Sequence, residues 1–146
     1  MAAKRFLLCA VLLACAACSK KAPTPAEELD KKFEAMMKGV TLVGRSSSTR
    51  SDKISGEERY VIEGVTKLSG DTWLFRSRFQ YEGHDIPLPI PVTIKWAGDT
   101  PVITLTDLAI PGMGSYTARV VLHDGQYAGT WSGKQVGGQI FGKIVR

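Results

Sequence analysis

The sequence predicts a small all-β domain, an antiparallel up-and-down barrel of about eight strands or a barrel-like sandwich, preceded by one short amphipathic helix. Three observations carry that prediction. Apolar and polar residues alternate with period two from Val40 onward. Turns bearing glycine and aspartate cut the alternation at short intervals, and a single stripe of helical spacing precedes it. The 146 residues suit one such domain and not two. Hydrophobic residues at 44% and charged residues at 23% exclude a disordered chain and a multi-span membrane protein.

The first element is an address. Lys4 and Arg5 precede an apolar run from Phe6 to Ala17, which stops at Cys18-Ser19-Lys20-Lys21. This is the layout of an export signal, here residues 1–17. A dozen apolar residues make only about 18 Å of helix, against the ~30 Å of a bilayer core, so the run is too short for a permanent span. The segment Leu12-Leu13-Ala14-Cys15-Ala16-Ala17-Cys18 resembles the lipobox of bacterial lipoproteins. The resemblance implies that Cys18, with Ala16-Ala17 before it and polar residues after it, is lipidated and becomes the mature N-terminus. Cys15, preceded by Leu12-Leu13-Ala14, is the alternative acceptor. Lipid chains on one cysteine would hold the protein to a bacterial membrane without a spanning helix, on the periplasmic or outer-membrane side of the cell envelope. Cys9, Cys15 and Cys18 are the chain's 3 cysteines, so the domain that follows has neither a disulfide nor cysteine-ligated zinc. Without Lys4 and Arg5, basic residues outnumber acidic ones by 17 to 14, a net charge of +3.

Residues 18–24 form a polar, Pro-containing tether. A helix follows over 25–38: Thr24 supplies the cap, Pro25 suits the first helical position, and Glu27 completes a capping box. Leu29, Phe33, Met36 and Met37 recur at i, i+4, i+7 and i+8, and Gly39 terminates the helix. Its other face mixes Glu28, Asp30 and Glu34 with Lys31, Lys32 and Lys38, which suits packing across one end or side of the next domain better than lying in a membrane.

Residues 39–146 are the β-domain. Trp73, Phe75, Phe79 and Tyr81 share one face of a strand whose other face carries Arg76, Arg78, Gln80 and Glu82. The same alternation returns at Ile90, Val92, Ile94 and Trp96, and at Tyr116, Ala118, Val120 and Leu122. One polar face per strand argues for an antiparallel sheet. Turn signals at Ser69-Gly70-Asp71, Gly83-His84-Asp85, Ala97-Gly98-Asp99, Pro111-Gly112-Met113-Gly114 and Asp124-Gly125 divide the segment into about eight strands. These are expected near 40–46, 58–68, 72–82, 88–97, 101–108, 115–123, 126–132 and 138–145. Closure removes exposed edges, which favours the barrel. Ser46 to Asp52 reads as a mobile loop, and Pro87, Pro89 and Pro91 mark a strand entrance or corner. The glycines around Tyr127, Trp131 and Phe141 read as bends or as places where an aromatic ring lies over a backbone.

Gly39-Val40-Thr41-Leu42-Val43-Gly44, Trp96-Ala97-Gly98-Asp99-Thr100-Pro101-Val102 and Tyr127-Ala128-Gly129-Thr130-Trp131-Ser132-Gly133 resemble a group of uncharacterised secreted bacterial domains. At the level of fold the pattern is similar to the lipocalin and calycin barrels; the interior of an eight-stranded barrel can be packed with side chains or can hold one small ligand.

The chemistry-bearing residues are few. His84-Asp85 and His123-Asp124 could form a metal site only if their turns shared one rim; each pair beside glycine is better read as a solvated turn, so no metal site is assigned. No Gly-x-Ser-x-Gly elbow is present, no phosphate-binding loop occurs, and no basic face with interleaved aromatics stands out beyond Arg76 and Arg78. The sequence therefore predicts no catalytic residue, no cofactor and no nucleic-acid partner. The expected role is a non-catalytic binding module for a small apolar ligand or an envelope protein. Trp73, Phe75, Phe79, Tyr81 and Trp96 are the candidate ligand-binding residues. The alternative is an inhibitor of an envelope-directed hydrolase, a lysozyme or protease, reached through a loop at Gly83 to Pro91 or Ser46 to Gly56.

Overall fold

Helix α1 (Pro25–Met37) begins as a capping box demands: the Thr24 amide donates to Glu27 Oε2 at 2.7 Å and the Glu27 amide donates to Thr24 Oγ1 at 3.3 Å. The bond from the Thr24 amide first, and the Thr24 side chain next, hold the Glu27 carboxyl below its usual range. Gly39 at φ +65° turns the chain out of the helix. The computed structural model describes residues 22–146. The export signal, Cys15, Cys18 and the first part of the tether lie outside the described residues.

Ten strands follow: β1 (Val40–Ser48), β2 (Ser51–Ile54), β3 (Glu58–Ser69), β4 (Thr72–Tyr81), β5 (His84–Pro87), β6 (Ile90–Ala97), β7 (Thr100–Ile110), β8 (Gly114–His123), β9 (Gln126–Ser132) and β10 (Gly137–Val145). Eight of them, β1, β3, β4 and β6 to β10, run up and down in chain order, and β10 pairs with β1 from Thr41↔Val145 to Ser46↔Ile140. The sheet is thus a closed antiparallel barrel, as the period-two pattern predicts. The remaining two are hairpin extensions at one end: β2 folds back on the end of β1, and β5 on the end of β4 with Tyr81 opposite His84.

The polar stretch from Ser46 to Asp52 is therefore not the loop expected from its composition. Backbone pairing carries β1 on to Ser48, and the Ser55 amide and hydroxyl bond the Ser46 carbonyl and amide, each at 2.8 Å. No apolar alternation is needed for such a hairpin. The β4–β5 extension is held likewise, and on its polar face Arg78 Nε donates to Asp85 Oδ1 at 2.9 Å.

Because the chain enters β1 from α1, the two barrel ends differ. The β3–β4, β6–β7 and β8–β9 turns share the helix end; the β2 and β5 extensions and the β7–β8 and β9–β10 turns share the other. Phe33 of α1, 1% exposed, enters the helix end and packs edge-on against Trp73 at 5.1 Å and Trp96 at 6.1 Å, with Phe75 also at 6.1 Å. Burying a side chain of this size contributes roughly 1.5–3 kcal/mol, and each edge-on aromatic pair adds about 0.5–1.5 kcal/mol. Met37, fully buried, completes the plug. An Asp30–Lys67 ion pair and bonds from Arg146 to the Ala35 and Lys38 carbonyls fasten the helix to the barrel rim.

Candidate functional site

Eight strands enclose only enough space for their inward side chains, so a cavity requires small residues on the inner face. The sequence supplies them on the wall formed by β1, β9 and β10. Gly44, Gly129, Gly138 and Gly142 are in phase with the inward residues Leu42, Tyr127, Trp131 and Ile140, and Ala118 on the neighbouring β8 and Ser77 on β4 add to them. The two large rings on β9 do not project across the interior. Tyr127 lies over Gly142, which it directly opposes, and its hydroxyl reaches Gly44 on β1; a Cβ at Gly142 would stand 2.7 Å from Tyr127 Cε1. Trp131 crosses β10 at Gly138 and donates from Nε1 to the Ser47 carbonyl at 3.2 Å. This is the aromatic-over-glycine arrangement expected from the β9 and β10 sequence, and it flattens both rings against the wall.

What remains open is a cavity of about 390 Å³ in the half of the barrel away from α1. Its lower wall is Phe75, Val92 and Ile103; its mouth is framed by Phe79, Tyr81, Ile110, Met113, Tyr116 and Trp131. On one side of the mouth three rings form a stack: Tyr60 on Phe79 at 4.5 Å and 13°, then Phe79 on Tyr81 at 4.7 Å and 22°. His84 extends the row at 5.1 Å from Tyr81. Across the mouth, Tyr116 and Trp131 lie 6.4 Å apart, and the Tyr116 hydroxyl donates to the Met113 carbonyl at 2.9 Å, fixing the β7–β8 turn. Leu88 is held inward because its amide donates to the Ser77 carbonyl at 2.7 Å and its carbonyl accepts from Ser77 Oγ at 2.6 Å. That reciprocal pair satisfies the buried hydroxyl of Ser77.

The polar atoms of the wall are few. Glu58 is the single ionisable carboxylate among the lining residues, and its Oε1 accepts from Ser46 Oγ at 2.6 Å. The Tyr127 hydroxyl is buried with no hydrogen-bond partner. Burial first, and then the Glu58 carboxylate, push the Tyr127 phenol up to about 12. The Tyr60 phenol is pushed still further in the same direction, by burial first and Glu58 next.

The five aromatic residues singled out from the sequence divide between two environments. Phe75, Phe79 and Tyr81 line the cavity, whereas Trp73 and Trp96 surround Phe33 at the closed end. Glu58 and Tyr60 were not among the candidates. Their signal is present, because 58, 60 and 62 are in phase with the buried Ile62 on β3. His84 and His123 fall at opposite ends of the barrel, so their turns do not converge, and among the described residues no group of three metal-ligating side chains forms. The two loop regions considered for insertion into an enzyme cleft both lie at the mouth, where they contain the β2 and β5 extensions. No helix among the described residues is long and apolar enough to cross a membrane. Compared with models of known protein families, with characterised proteins and with solved structures, the chain matches none of them.

Proposed function

We propose that this chain is a lipid-anchored, non-catalytic binding protein of the bacterial cell envelope, whose barrel holds a small, mainly apolar ligand. The observation that carries the reading is the cavity of about 390 Å³, closed at one end by Phe33 and open at the other through an aromatic mouth. Its volume lies within the ~300–1,000 Å³ of small-molecule sites, and its lining has their character, apolar with a few placed polar groups. The wall carries neither histidine nor cysteine, and its carboxylate, Glu58, accepts a hydrogen bond from Ser46 Oγ. An anchor on Cys18 would be joined through the tether to the closed end, directing the mouth away from the membrane.

The test is native mass spectrometry of the chain gently extracted from a bacterial envelope. A mass exceeding that of the lipidated polypeptide by one small molecule, lost on collisional activation, is the expected result. A bare mass, together with no binding of any member of a small apolar library, would overturn the reading.

A further inference from the structure

The polar atoms of the cavity are not distributed at random over its wall. Glu58 opposes Gly44 on β1 and Tyr81 on β4, which sets its carboxylate at the level of the mouth, and the Tyr127 hydroxyl reaches the same Gly44. Among the described residues no basic side chain pairs with Glu58, and no other lining residue carries a charge. Ser46 Oγ occupies one carboxylate oxygen. The Tyr127 hydroxyl, on a side chain only 2% exposed, has an acceptor lone pair and a donor proton without partners. The stack of Tyr60, Phe79 and Tyr81 forms one side of the same mouth. A carboxylate without a cationic partner in a largely apolar mouth prefers a cationic hydrogen-bond donor. An anionic head group meets the opposite: repulsion from Glu58 and no compensating cation.

We infer that the cavity selects small apolar amines, molecules of about a dozen non-hydrogen atoms with one protonated nitrogen, whose cation is held by Glu58 at the mouth. The size follows from filling 390 Å³ at roughly the 30 Å³ that a water molecule takes in the liquid. This inference rests on the proposed binding role and adds the ligand's charge and class to it. The influence of Glu58 on both the Tyr60 and Tyr127 phenols agrees with a carboxylate whose field spans this wall.

The test uses the full chain in lipid nanodiscs, with protein-free discs as blank, titrated calorimetrically with phenylbutylamine, phenylbutanol and phenylbutyrate, which share one skeleton and differ in charge. The amine is expected to bind about tenfold or more tighter than the alcohol, with the acid weakest, as a charged hydrogen bond in a partly dry site implies. In Glu58→Gln, which keeps an acceptor for Ser46, the amine preference should collapse to about onefold while alcohol affinity stays within about twofold. Ser46→Ala should retain the preference. If Glu58→Gln fails to fold, the wild-type series and Ser46→Ala decide. Equal affinities for amine and alcohol, or tightest binding of the acid, would overturn the amine assignment and leave the cavity reading standing; no binding of any of the three would overturn both.

Discussion

Tyr127→Phe isolates one atom whose effect on the fold has a defined sign. The ring is held by Gly142 and Gly44 and stays in place in the variant; only the hydroxyl, buried and unpartnered, is lost. A hydroxyl removed from water without a new hydrogen bond costs about 1–3 kcal/mol. The phenylalanine chain should therefore be more stable by about 1 kcal/mol at neutral pH. With a urea slope of about 2 kcal/mol/M, the midpoint should rise by about 0.5 M at unchanged slope. A second signature comes from titration. The Tyr127 phenol is raised in the fold from 10.0 to about 12, so the unfolded chain loses this proton first as pH rises. The wild-type contribution is fully present below about pH 10 and is lost between about pH 10 and 12, by about 1 kcal/mol at pH 11 and roughly 2–3 kcal/mol in full. Tyr60 is raised too and remains in both proteins, so the difference between their alkaline stability profiles belongs to Tyr127. Urea titrations at neutral pH and near pH 11 measure both quantities. A phenylalanine variant less stable by 1 kcal/mol or more at neutral pH would refute the reasoning, since it would mean that the hydroxyl is bonded. Parallel alkaline profiles would refute the assigned titration.

Three further outcomes follow from the packing and the anchor. Phe33→Ala removes the ring that closes the barrel between Trp73 and Trp96 and should cost about 3–5 kcal/mol in urea unfolding; a loss below about 1 kcal/mol would mean that α1 does not plug the barrel. Gly129→Ala would drive a methyl into the Arg119 carbonyl and should cost roughly 3 kcal/mol by thermal or urea melting; the same change at Gly98, which faces open space at φ +66°, should cost about 1 kcal/mol. Cys18→Ser should release the chain from the membrane fraction on cell fractionation, whereas retention that is lost only with Cys15→Ser would move the anchor to Cys15.

The sequence was most legible where structure is local. The capping box at Thr24 and Glu27, the helix over Pro25–Met37 and the barrel strands all follow from short-range pattern, because a half-buried strand must alternate and its turns must accept unusual backbone angles. The hairpin extensions were not legible. Ser51–Ile54 has no alternation to read, and its pairing is made by the backbone and by Ser55. The kink of β7 was hidden as well: Asp107 at φ +47° donates its amide to Thr117 Oγ1 at 3.0 Å, a partner on β8 that no local rule selects.

The cavity lies between these cases. Trp73, Phe75, Phe79, Tyr81 and Trp96 obey the same periodicity, so pattern alone assigns them one fate. What separates them is the docking of Phe33, a contact from forty residues earlier in the chain than Trp73, which fills one end and leaves the other open. The glycines of β9 and β10 then matter for what they keep empty, because they let Tyr127 and Trp131 lie against the wall. Within that space, Glu58 and the Tyr127 hydroxyl contribute nothing to an apolar core, and the hydroxyl opposes it. A carboxylate that an apolar wall does not need, set at the open end, is where the proposed binding role would depart from local consistency. On that argument Glu58→Gln, which keeps an acceptor for Ser46, should leave stability little changed and lose the amine preference, a separation that a purely structural carboxylate would not produce.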